Sequence, residues 1–135
     1  MAAKKADNPV LDILAARVRA ALPDAASART VEKRMFGGVG FMLDGNLLCC
    51  ATRDGGLLLR IGAANAAAAL ALPTAQPFAN GGRPMTGYYR MTADGLADEP
   101  ALTSALALAL AFVETLPAKE KPVRPAQKAQ RTRNA

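Results

Sequence analysis

Residues 31–61 read VEKRMFGGVGFMLDGNLLCCATRDGGLLLRI, and the placing of turn residues inside this stretch decides the fold. From Val31 the pattern has a period of two, with Val31, Lys33 and Met35 alternating with Glu32, Arg34 and Phe36. Gly37-Gly38 interrupts it, as a turn or bulge would. Val39, Phe41 and Leu43 then line one apolar face. Asp44-Gly45 is the strongest hairpin signal in the chain, because a two-residue type I′ turn needs positive φ at both positions and these residues tolerate it. Leu47 to Thr52 forms the returning strand, Asp54-Gly55-Gly56 a further turn, and Leu57 to Ile61 another strand. Turns at this spacing dictate an antiparallel meander, since a parallel pair needs a long crossover.

Working outward, Asn8-Pro9 suits a helix start, with Asn as cap and Pro in the first turn. Leu11, Leu14, Val18 and Leu22 recur at helical spacing, while Asp12 and Arg19 fall off that stripe, and Pro23 ends the helix. Ala25 to Thr30 reads as a linker and Ala63 to Leu72 as a short alanine-rich helix. Pro73 to Pro84, with three prolines and two glycines, reads as a loop. Thr86 to Met91 reads as a strand that sends Tyr88 and Tyr89 to opposite faces. Glu99-Pro100 opens a last helix with Leu102, Leu106, Leu110 and Val113 as its stripe. The expected fold is α+β: two layers, a mainly antiparallel sheet with helices on one face, in the order α-β-β-β-(β)-α-β-α. The opposite sheet face carries Phe36, Met42 and one of the two tyrosines, and an apolar face of that kind is commonly covered in a dimer.

Net charge is +6, but its location matters more than its size. Residues 117–135 hold six cations, Lys119, Lys121, Arg124, Lys128, Arg131 and Arg133, against the single acid Glu120. Residues 6–116 hold nine basic and ten acidic side chains and are close to neutral. Three segments follow: a flexible start at 1–8, a folded domain at 9–116 and a basic tail at 117–135. The tail has three prolines and few large apolar residues, so disorder is expected there. No apolar run is long enough for a membrane span, and no hydrophobic segment follows Lys4 and Lys5 as in a secretory signal, so a cytoplasmic location is expected.

The chain has no histidine, which removes the commonest general base and the commonest zinc ligand together. Cys49 and Cys50 are adjacent, so no CxxC spacing exists for a metal or a dithiol. No metal, cofactor or catalytic group is expected.

The segment Met35-Phe36-Gly37-Gly38-Val39-Gly40-Phe41-Met42-Leu43-Asp44-Gly45-Asn46 resembles the N-terminal domain of the TfoX/Sxy family, regulators associated with bacterial competence. Leu57 to Ile61, Pro77-Phe78 and Met85-Thr86-Gly87-Tyr88-Tyr89-Arg90-Met91 continue the likeness. The resemblance spans about Ala15 to Leu116 and implies an α+β domain without known catalysis, in proteins linked to transcriptional control. Longer members carry a second, helical domain.

The individual motifs have mainly structural readings. Gly37, Gly38 and Gly40 lack the Lys-Ser/Thr and following helix of a phosphate loop, so a bend between strands explains them. Of Cys49 and Cys50, one should face the core and one outward. One of Tyr88 and Tyr89 should be core and the other interfacial. Arg34, Arg60 and Arg90, with Lys33, form either a basic strip or ion pairs with Glu32, Asp44 or Asp54. Two functions fit: a non-enzymatic regulatory module that contacts itself as a homodimer or another protein, or a nucleic-acid-associated protein that binds non-specifically through the six tail cations.

Overall fold

The computed structural model describes residues 9–35 and 37–118. Six strands form one antiparallel sheet: β1 (Thr30–Met35), β2 (Gly38–Leu43), β3 (Asn46–Ala51), β4 (Leu57–Arg60), β5 (Gln76–Asn80) and β6 (Arg83–Met91), in the spatial order β1-β2-β3-β4-β6-β5. The helices are α1 (Pro9–Ala21), α2 (Asp24–Ser27), α3 (Ala66–Leu70, preceded by a 3-10 turn at Ala63–Asn65), α4 (Ala93–Leu96) and α5 (Glu99–Val113).

The meander forms as its turns dictate. Leu43 pairs with Asn46 across Asp44 and Gly45, whose φ values of 52° and 86° are those of a type I′ turn. Register then sorts the side chains. Phe41, Cys49, Leu59 and Tyr89 stand opposite one another on successive strands, as do Val39, Ala51, Leu57 and Met91. Both rows point to the helices, and a bulge at Phe41/Met42 adds Leu48 to the same side. Every helix contributes to this core: Leu11, Leu14 and Val18 from α1, Ala26, Ala69 and Leu96 from the short helices, and Leu102, Leu106 and Val113 from α5. The result is the expected two-layer α+β arrangement, helices on one face.

Ion pairs tie the layers together at their rims. Arg17 on α1 donates to the Leu96 carbonyl at 2.6 Å and to Glu99 at 2.9 Å, joining α1 to the start of α5. Arg29, ahead of β1, grips Asp44 in the β2–β3 turn and approaches Glu114 beyond α5 at 3.8 Å. The buried Asn46 side chain donates to the Pro117 carbonyl at 3.0 Å, so the chain leaves the domain at a fixed corner.

Several readings of the sequence are corrected. Pro73 to Pro84 is no loop: it holds β5 and the start of β6, joined at Gly81-Gly82, both with positive φ. Proline is tolerated because β5 is the sheet edge, where a missing N–H costs no ladder bond. The linker at Ala25 to Thr30 overlaps the short α2 and the first residue of β1. Asp98, not Glu99, occupies the cap position of α5, and Pro100 lies in the first turn. The start at 1–8, Phe36 and residues 119–135 lie outside the described residues, and with them the expectations placed on the N-terminus, on that ring and on the tail cations.

Candidate interaction surface

With all helices on one side, the other sheet face stands without a covering element among the described residues. Its composition follows from register. Val31, Met42 and Leu47 line up across β1, β2 and β3. Lys33, Gly40 and Cys50 form the next row, Leu58 pairs with Arg90, and Arg60 pairs with Tyr88. Val31 is 51% exposed, while Met35, Met42, Leu47 and Tyr88 are half-buried. Cys50 and Leu58 are buried yet lie outside the main core cluster, which places a thin second apolar layer on this face.

The glycines of the Met35–Gly40 segment shape that layer. A Cβ at Gly40 would lie 2.5 Å from the Met35 sulfur and 2.8 Å from its terminal methyl. A Cβ at Gly38 would run into the carbonyl oxygen of Ala51 on β3. Absent side chains therefore let Met35 lie flat over β2, next to Cys50, whose thiol points to the Met35 carbonyl at 3.9 Å. Of the three glycines expected to bend the chain between strands, only Gly37 sits in the turn, with φ 74°, while Gly38 and Gly40 lie within β2 and serve packing. The cysteines face opposite sides of the sheet as the alternation predicts, and the outward Cys50 is as buried as the inward Cys49. Burial pushes both thiols up, far enough at Cys49 to leave it a plain core residue.

Tyr89 is in the core and Tyr88 is half-exposed on the open face. The Arg60 guanidinium lies 5.6 Å from the Tyr88 ring centre and 5.9 Å from that of Phe112 on α5, so two rings hold it. Arg90 pairs with Asp54, settling one of the pairings left open by the sequence. Asp54 also accepts from the Thr52 hydroxyl at 2.6 Å and the Gly56 amide at 3.1 Å. These donors, the Thr52 hydroxyl foremost, hold its carboxyl down at about 2. Glu32 pairs with Arg19 of α1, and Asp44 with Arg29, rather than with the strand arginines. Lys33 and Arg60 make no ion pair among the described residues.

An open groove of about 430 Å³ runs between α1 and β1, lined by Asp12, Arg19, Glu32, Lys33 and Arg34. Its charges are exposed and Arg19 and Glu32 satisfy one another at 2.6 Å. Among the described residues no three Cys, Asp or Glu side chains cluster as a metal site, and no helix is long and apolar enough to cross a membrane.

No curated protein and no solved structure matches the chain. A family profile described as the TfoX N-terminal domain does match, over residues 25–113, which takes in the whole meander, both tyrosines and α5. The match agrees with the Met-Phe-Gly-Gly-Val-Gly and Tyr-Tyr segments, and the chain belongs to the TfoX N-terminal domain family.

Proposed function

We propose that this protein is a non-enzymatic regulatory module, of the kind found in TfoX-type competence regulators, that acts by binding another polypeptide through its uncovered sheet face. The observation that carries this reading is the second apolar layer on that face. Met35, Met42, Leu47 and Tyr88 stand half-buried around Cys50 and Leu58, with no helix over them among the described residues. The partner is either a second copy, giving a homodimer, or a different protein of the cytoplasm. The ionisable groups fit a binding role: the acids of the sheet layer are engaged by Arg19, Arg29 and Arg90, and both thiols are buried.

Affinity capture from native cytosol tests it, comparing the wild-type chain with Met42→Glu and with Ile13→Glu on the exposed flank of α1. Partners lost with Met42→Glu and kept with Ile13→Glu support the reading. Partners indifferent to Met42→Glu overturn it. A second reading, nucleic-acid association through the tail, rests on its six cations against one acid. Charge reversal at Arg131 and Arg133 should then weaken binding to duplex DNA and flatten its salt dependence.

A further inference from the structure

The near-neutral body conceals a separation of charge. The helices and their flanking residues carry Arg17, Arg19 and Arg29 against Asp12, Asp24, Asp94, Asp98, Glu99 and Glu114, three bases against six acids and a net of −3. The strands and their turns carry Lys33, Arg34, Arg53, Arg60, Arg83 and Arg90 against Glu32, Asp44 and Asp54, six bases against three acids and a net of +3. On the paired positions of the open face the bias is complete: Lys33, Arg60 and Arg90 stand there and no carboxylate does.

Charge decides between the occupants available to this face. A second copy docked face to face would bring Lys33 and Arg60, the two of these cations that no carboxylate pairs among the described residues, up to another set of the same charges, a like-charge arrangement that costs affinity. The chain's own ends are excluded on the same ground, since 1–8 holds Lys4 and Lys5 against Asp7, and 119–135 holds six cations against Glu120. The side chains of the face then separate a protein from a nucleic acid. Methionine, tyrosine and arginine are enriched where proteins meet proteins, and tyrosine and arginine are among the residues enriched at hot spots. A base-stacking platform needs free ring faces, whereas Arg60 already lies over the Tyr88 ring.

We infer that the open sheet face binds an acidic protein surface: aliphatic side chains on the partner meet Val31, Met42 and Leu47, and carboxylates meet Lys33 and the ring-held Arg60. The inference rests on the reading of this face as the binding surface and adds the chemistry of the partner.

The test is selection of binders to the full chain from a random peptide library, followed by affinity measurement on the wild type, Lys33→Glu, Arg60→Glu and Arg131→Glu/Arg133→Glu. Circular dichroism confirms that each variant is folded, and Lys33→Glu, on the exposed edge strand, keeps the test valid should Arg60→Glu not fold. The expected binders combine aspartate or glutamate with aliphatic residues. They weaken about tenfold or more with Lys33→Glu or Arg60→Glu and less than about threefold with the tail variant. Binders that depend on the face but are neutral or basic overturn the acidic partner and leave the binding face standing. Acidic binders lost only with the tail variant, or an empty selection, overturn both. A homodimer in light scattering that dissociates on Arg60→Glu, or oligo-dT binding lost with that change, also overturns the inference by naming a different occupant.

Discussion

Gly40 and Met35 offer the sharpest test of the packing on the open face, because the cost of one substitution should depend on the other. In Gly40→Ala the three atoms nearest the new methyl all belong to Met35, the closest at 2.5 Å. Met35 must leave its seat, and overpacking of this kind costs about 1–3 kcal/mol. Met35→Ala alone forfeits about 1 kcal/mol, roughly half the value of a fully buried methionine. With Met35 cut to alanine, the three atoms that crowd the methyl at position 40 are gone. Gly40 has an ordinary negative-φ strand conformation, so alanine there lowers the entropy of the unfolded chain and should stabilise by about 0.4–1 kcal/mol. Gly40→Ala therefore changes sign between backgrounds, with a coupling of about 1–3 kcal/mol. Urea denaturation followed by far-ultraviolet circular dichroism measures it, the chain having no tryptophan. Equal destabilisation by Gly40→Ala in both backgrounds refutes the argument.

Other outcomes follow from the same geometry. Gly45→Ala, at φ 86°, should cost about 1–2 kcal/mol in denaturant unfolding, since a Cβ is disfavoured in the left-handed region. Asp54 titrates at about 2 when folded, below its ordinary value near 4, so its contribution is complete above pH 4 and is lost as pH falls towards 2. Its side chain is 65% exposed, so screening holds the effect below about 1 kcal/mol. Asp54→Asn should flatten acid unfolding across that window. Neither thiol of the native wild type should react with a disulfide reagent, and both should react in denaturant; rapid native labelling would contradict their burial. Arg17→Ala should cost about 1 kcal/mol by releasing the Leu96 carbonyl and Glu99, detected as a lower denaturation midpoint.

The meander was legible because its information is local: Asp44-Gly45 fixes a turn, the turn fixes the register, and the register sends Phe41 and Leu43 inward. The edge hairpin was missed because proline density outweighed the Gly81-Gly82 pair between Asn80 and Arg83, itself a recognised hairpin signal. The burial of Cys50 could not be read from alternation alone. The Met35 carbonyl comes within 3.9 Å of its thiol from the first strand, a relation between strands that no single-strand period contains. The open face was anticipated through Met42 and one tyrosine. Its lack of carboxylates was not, because the chain interleaves acids and bases in sequence and only folding sorts them into layers.

That sorting gives the folded domain an electric dipole directed from its helices to its sheet, although residues 9–118 carry equal numbers of acids and bases. In the field of a negatively charged body the domain feels a torque, and it arrives sheet first. Added salt should therefore slow such encounters by scrambling the angle of approach, even where it leaves the final contacts intact.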